Sequence, residues 1–271
     1  MTQDGWLTRH PYLKPVAYLH GWVESAAAGI PAARPSVPRW DRYQGDFHRG
    51  VSLLLSPAAA INLGPATRMV VSLVERLALM PLPAKLQEEI TAINGELSRD
   101  QAAPRRAVAS LVDKGVFVSA CSGLLRYLGW TILARHLRPV VDAFAIWRQE
   151  ERWFRSYCPT CGSPPALAQL VGANHERRRF LSCGLCGTRW WYCRTGCPFC
   201  ENENGHGLAV LAVQGDGGLR VDYCESCGGY LKTYDGQGSE NVLLADWTSI
   251  HLDLIAQGRG LRRPAASLYE L

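Results

Sequence analysis

Eight cysteines in four Cys-x-x-Cys pairs, all between Cys158 and Cys227, constrain this chain more than any other feature. The pairs are Cys158/Cys161, Cys183/Cys186, Cys197/Cys200 and Cys224/Cys227. Residues 162–182, 21 of them, separate the first two pairs, and residues 201–223, 23 of them, separate the last two. Only residues 187–196 stand between the two sets. Each set therefore reads as Cys-x2-Cys, a hairpin-sized insert and a second Cys-x2-Cys, the spacing of a four-thiolate ribbon site. Two intervening residues allow a tight turn that aims both sulfurs at one ion, and a glycine after the second cysteine accepts positive φ.

The two sets resemble each other. Each opens with Cys-Pro-x-Cys and closes with Cys-x-x-Cys-Gly, which reads as an internal duplication. A module of about 30 residues buries too little apolar surface to hold itself, and a structural ion supplies on the order of 10–16 kcal/mol. Two tetrahedral four-cysteine sites are therefore expected, with Cys158, Cys161, Cys183 and Cys186 as one ligand set and Cys197, Cys200, Cys224 and Cys227 as the other. Sulfur ligation suits zinc or iron and does not separate them. Four protein ligands leave no open coordination position, so the expectation is a structural or recognition role and not an enzyme.

The rest of the chain is plainer. Its 271 residues suffice for one large domain or two ordinary ones. Asp4, Arg9, His10, Lys14, His20 and Glu24 interrupt the first thirty residues, so no secretory apolar run is seen, and the longest uncharged apolar stretch, 115–125, is too short to span a membrane. With most cysteines in metal spacing, a reducing cytoplasm is the expected location.

Residues 1–155 read as a helical domain. Tyr12, Val16, Leu19 and Val23 could line one face from Pro11 to Ala28, before Pro31, Pro35 and Pro38 break the pattern. Met69 to Met80 is amphipathic, and Leu86, Ile90, Ile93 and Leu97 repeat at helical spacing after Pro83. Val108, Leu111 and Val112 continue to Gly115. Helix is expected again over 116–157, bent at Pro139, with a stripe of Leu124, Leu128, Ile132, Val140, Phe144 and Trp147. Arg179–Leu181, Leu208–Val213, Leu219–Tyr223 and Tyr230–Tyr234 read as strands, with glycines 215, 217 and 218 turning the second hairpin. Asp246 is expected to cap a final helix with Trp247, Ile250, Leu254 and Ile255 on its apolar side and Gly258 at its end.

Cys121 reads as a buried small hydrophobe and Cys193 as a linker residue, and neither His175 nor His206 is needed once the thiolates are counted. Between Arg148 and Arg194 there are eight arginines (148, 152, 155, 177, 178, 179, 189 and 194) against Glu150, Glu151 and Glu176, so 8 − 3 = +5. Such charge complements an anionic tetrathiolate centre; together with Trp190, Trp191 and Tyr192 it also has the composition of a docking face.

Four stretches carry a family likeness: Cys158-Pro-Thr-Cys-Gly-Ser-Pro-Pro, Arg179-Phe-Leu-Ser-Cys-Gly-Leu-Cys-Gly-Thr-Arg-Trp, Cys197-Pro-Phe-Cys and Cys224-Glu-Ser-Cys-Gly-Gly-Tyr-Leu-Lys. They resemble the FdhE family of formate dehydrogenase accessory proteins, and Ala245 to Leu254 is similar to that family's closing helix. The likeness covers residues 155–271. It implies an α+β chain: an N-terminal all-helical domain (1–155), two tandem rubredoxin-like or zinc-ribbon-like modules (156–192 and 193–271), and a C-terminal helix within the second. It implies iron as the metal and a cytoplasmic maturation factor that binds the formate dehydrogenase catalytic subunit before export. Pro198-Phe199 replaces the more polar pair expected there. The competing readings are a nucleic-acid-binding zinc ribbon and a rubredoxin-like electron carrier or redox sensor.

Overall fold

The computed structural model describes residues 2–31, 35–112, 115–148, 153–172, 177–202, 207–213, 215, 218–236 and 245–269. The chain divides into two compact units. One comprises Pro15–Trp147 with Leu268–Leu271, and the other Met1–Lys14 with Arg148–Ser267.

The first unit is helical. Its elements are α2 (Lys14–Ala28), α3 (Trp40–His48), α4 (Gly64–Ala78), α5 (Ala84–Leu97), α6 (Ala103–Leu111) and α7 (Ser122–Trp147). On α4, Ala66, Met69, Val70, Leu73, Val74 and Leu77 recur three and four residues apart and are buried, and this face packs against α5, α6 and α7. Gly129 on α7 lies under Leu111, where a Cβ would meet a terminal methyl of the leucine and force that side chain to shift. Trp40, Tyr43 and Phe47 of α3 meet Phe144 and Trp147 of α7 in an aromatic cluster with ring centroids 5.3–6.5 Å apart. The helix expected over 116–157 is shorter than that. Residues 115–119 have no regular structure, α7 starts at Ser122, runs through Pro139 and stops at Trp147.

The second unit is built on one six-stranded sheet. Its strands are β1 (Leu167–Val171), β2 (Arg178–Ser182), β3 (Arg189–Tyr192), β4 (Leu208–Ala212), β5 (Leu219–Cys224) and β6 (Tyr230–Asp235), in the order β3-β2-β1-β6-β5-β4. Neighbouring strands are antiparallel within each three-stranded module, and the modules join through a parallel β1·β6 ladder in which Leu167 faces Lys232 and Leu170 faces Asp235. The duplication thus forms one continuous sheet, the first strand of one module against the third strand of the other. Placement at the centre makes β1 and β6 buried almost throughout, without polar alternation.

Two helices complete this unit. α8 (Ile250–Gly258) packs on β5 and β6. α1 (Gln3–Arg9) is capped by the Thr2 hydroxyl and tied down by Trp6, whose indole donates to the Thr248 carbonyl at 3.0 Å. Asp246 does not cap the final helix; a 3-10 turn over Trp247–Ser249 precedes α8, and the carboxylate turns inward to ionic partners.

Candidate metal centres

The four cysteine pairs fold into four near-identical knuckles. The amide of the first cysteine donates to the carbonyl five residues on: Cys158 to Ser163, Cys183 to Thr188, Cys197 to Asn202 and Cys224 to Gly229, each at 2.9 Å. The first cysteine's carbonyl accepts from the residue after the second cysteine: Gly162, Gly187, Glu201 and Gly228, at 2.8–3.2 Å. That residue closes the turn with positive φ, 82°, 71°, 56° and 68° in the same order. Glu201 alone among them is not glycine. Further amides point at sulfur, with Thr160 on Cys158, Leu185 on Cys183, Phe199 on Cys197 and Gly229 on Cys227, all at 3.4 Å. Such N–H groups favour the thiolate over the thiol.

Each ribbon brings its two knuckles face to face. Within each quartet, all four sulfurs lie within 4.8 Å of one another. Cys158 and Cys186 are 3.5 Å apart and Cys161 and Cys183 are 3.4 Å apart; in the second quartet, Cys197 to Cys227 and Cys200 to Cys224 are each 3.8 Å. A tetrahedron with metal–sulfur bonds of about 2.3 Å has edges of about 3.8 Å. Both quartets are therefore positioned for tetrahedral metal binding, and no cysteine is in a disulfide. Burial lifts the Cys158 thiol, and the neighbouring thiols lift that of Cys183, each well above the ordinary range. Four thiols this close resist collective ionisation, and a cation supplies the missing charge.

The two centres differ. In the first, Cys158, Cys183 and Cys186 are buried and Cys161 half-buried; in the second, Cys227 is half-buried and Cys200 exposed. The first also has hydroxyls beside its sulfurs, Ser163 at 3.4 Å from Cys161 and Thr188 at 3.2 Å from Cys186, and Thr188 donates to Thr160 at 2.7 Å. The corresponding positions of the second set are Asn202 and Gly229. This asymmetry was legible as Cys-x-x-Cys-Gly-Ser/Thr, present in the first set only. At Cys224, burial works against ionisation, but the amides of Cys227 and Ser226 and the Cys197 and Cys200 sulfurs outweigh it and bring the thiol down to about 7.

A buried ionic cluster stands behind the second ribbon, and the sequence pattern did not disclose it. Lys232 on β6, 1% exposed, contacts Asp246 at 2.6 Å and Asp253 at 2.8 Å. Arg263 reaches the same two carboxylates at 2.8 and 3.0 Å, and the Tyr230 phenol donates to Asp253 at 2.8 Å. Burial opposes the Asp246 charge, yet Lys232 and Arg263 hold its carboxyl below the ordinary carboxylate range. The segment after α8 returns to the last knuckle, where Arg262 donates its amide to Gly228 at 2.7 Å and accepts from the Tyr230 amide at 3.0 Å.

Cys121 and Cys193 join neither quartet. Cys121 is half-buried, its thiol pushed up by burial, and Cys193 lies beside the Thr195 hydroxyl at 3.2 Å. His175 and His206 lie outside the described residues, as do Arg152 and the glutamates 150, 151 and 176. The arginines separate into two groups. Arg179 is buried and braces the link between ribbons by donating to the carbonyls of Cys193 and Gly196, while its guanidinium lies 5.3 Å from the Tyr192 ring. Arg148, Arg177 and Arg189 are likewise engaged, with the Arg189 carbonyl, Asp235 and Gln169. Arg155, Arg178 and Arg194 are exposed. Trp190 is fully buried, its indole donating to the Arg155 carbonyl at 3.1 Å, so it belongs to the core and not to a docking face.

Residues 157–194, the first ribbon with both its knuckles, match the family described as "FdhE, central domain". The chain resembles the FdhE proteins. An FdhE homolog of Pseudomonas aeruginosa is 32% identical over 193 residues, 67% of this chain and 61% of that protein. One from Aquifex aeolicus is 31% identical over 165 residues, 59% of this chain and 57% of that one. The chain thus spans about three fifths of the length of these curated FdhE relatives. The crystal structure of the FdhE protein from Pseudomonas aeruginosa has the same fold, with a TM-score of 0.65 over 95% of this chain and 88% of that one at 22% identity. The FdhE resemblance and the α+β architecture read from the sequence are both borne out.

Proposed function

We propose that this chain is a non-catalytic accessory protein for formate dehydrogenase maturation, binding the catalytic subunit in the cytoplasm before export. The observation that carries this reading is the pair of closed cysteine quartets on one shared sheet in a chain that resembles the FdhE proteins. All eight cysteines are taken as ligands, two ions in all. With four sulfurs each, the ions leave no coordination position for a substrate; bound, they would fix the knuckles and supply no reacting group. Their work is to rigidify the knuckles at the ends of the shared sheet, giving a fixed surface for an incompletely assembled subunit. Among the described residues no helix is long and apolar enough to cross a membrane.

Co-purification tests the reading. The protein, co-expressed with a formate dehydrogenase catalytic subunit, is expected to retain it, and the Cys158→Ser/Cys161→Ser variant is expected to lose both an ion and the subunit. A folded variant that still holds the subunit, or a native protein that never does, refutes it.

The exposed Cys200 edge favours one second reading, an electron carrier. It requires iron and a reversible couple; voltammetry of the anaerobically purified protein decides it.

A further inference from the structure

We infer that the arginine-lined trough on the sheet beside the second centre is the docking site for an extended acidic peptide segment of a protein partner. The inference rests on the accessory reading above and adds the chemistry by which a client would be recognised.

Two cavities form the trough. The larger, about 380 Å³, lies over β4, β5 and the Cys197 knuckle; the smaller, about 350 Å³, lies against Phe154, Trp191 and Tyr192. Arg177, Arg179 and Arg194 line both, so the two adjoin. Arg178 lines the smaller and Arg220 the larger. Against these five guanidiniums stand Asp222, in the lining, and Asp235, at the edge, giving 5 − 2 = +3, which stays positive beside a metal-bound tetrathiolate of about −2.

The ion pairs show which charges remain for a ligand. Arg220 holds Asp222 at 2.8 Å and shares Asp235 with Arg177, at 3.2 and 2.7 Å. Arg179 is committed to the inter-ribbon carbonyls, although its buried Nε has no hydrogen-bond partner among the described residues. Arg178 and Arg194 are exposed and have no ionic partner among the described residues. Two free guanidiniums flanked by aspartates suit a segment with one or two carboxylates. A polyphosphate backbone needs a row of cations, and Asp222 and Asp235 would repel it.

Two further features suit a peptide over a small anion. Phe154, 62% exposed, meets Trp191 edge to face at 5.5 Å and offers an aromatic anchor at one end, the arginine–aromatic pairing enriched at protein interfaces. At the other end β4 is the outermost strand of the sheet, with Val210 53% exposed. No described strand pairs with its outer edge, which can receive an extended chain as a seventh strand.

The probe is a fluorescein-labelled eight-residue peptide of valine and threonine carrying two glutamates, read by anisotropy on the full, metal-loaded chain at low salt. The acidic peptide is expected to bind, with affinity falling as salt rises, and its lysine counterpart is not. Arg178→Glu/Arg194→Glu, both on the surface, is expected to weaken binding at least tenfold with metal content unchanged, and Phe154→Ala severalfold. Equal binding of the acidic and lysine peptides, undiminished binding by the charge-reversed variant, or tighter binding of an eight-nucleotide oligothymidylate overturns the inference. Those outcomes leave the accessory reading standing if the native protein still co-purifies with the catalytic subunit. Peptide binding without co-purification sinks that reading and spares the trough.

Discussion

Replacing Lys232 with methionine tests whether the buried ionic cluster fastens the closing helix to the sheet. The substitution keeps an unbranched side chain of similar reach and removes one charge, so two cations against two carboxylates become one against two. Removing one partner of a buried pair costs about 3–5 kcal/mol. Arg263 remains 2.8 and 3.0 Å from the same carboxylates, which places the expected loss at the lower end, about 3 kcal/mol. In native-state hydrogen exchange of the metal-loaded protein this is roughly a hundredfold faster exchange for amides of β6 and α8. Amides of α4 to α7, in the other unit, are expected to keep their rates. The pH dependence has a fixed direction. Asp246 is held below its ordinary value in the native fold, so its contribution is full above the unfolded carboxylate range and is lost as pH falls through the folded pKa. Without Lys232 the carboxyl rises and protonates earlier, so the difference between variant and native protein shrinks as pH falls toward the carboxylate range. A loss below about 1 kcal/mol, the range of surface pairs, or a loss independent of pH refutes the reasoning.

Glu201→Gly is expected to stabilise the second ribbon, because Glu201 sits at φ 56° where the other three knuckles have glycine. Relief of about 1 kcal/mol is partly offset by losing the 2.9 Å bond from the Ser156 hydroxyl, leaving a gain of about 0.5 kcal/mol, and an unchanged or lower melting temperature contradicts it. A chelator is expected to strip the second centre before the first, since Cys200 is exposed while three sulfurs of the first quartet are buried; a single-phase release of both ions in a colorimetric chelation assay argues against the asymmetry. Phe144→Ala removes a fully buried ring from the aromatic cluster and is expected to cost the helical unit about 3–5 kcal/mol in urea unfolding while the metal content stays at two; loss of metal would show the cluster supports more than its own unit.

The quartets were legible because ligation demands cysteine at fixed short spacing, and the knuckles then follow from local turn geometry. Helices α4 and α5 were legible because their buried residues repeat every third or fourth position. What escaped lacks a local signal. β1, Leu-Ala-Gln-Leu-Val, is buried on both faces and so shows no alternation; β3 hid in an Arg-Trp-Trp-Tyr run whose composition suggested a surface. Short α1 and α3 offer too few turns for a period, and α1 depends on Trp6 reaching Thr248, 242 residues away. Lys232, Asp246, Asp253 and Arg263 each look like ordinary surface residues until β6 and α8 are packed together. The parallel joint between ribbons belongs to the same class, since no residue in either repeat announces which edge it will meet.

The return of the Arg262 backbone to the last knuckle orders how this chain is built on the ribosome. The first sulfur set is complete as soon as Cys186 has emerged, with the Ser163 hydroxyl already made and Thr188 only two residues behind. The second ribbon cannot finish when Cys227 appears, because Gly228 and Tyr230 wait for the Arg262 backbone more than thirty residues downstream and Lys232 waits for Asp246 and Asp253. Vectorial synthesis therefore separates two sites of the same chemistry in time, and the nascent chain passes through a stage with one clasp shut and the other still open.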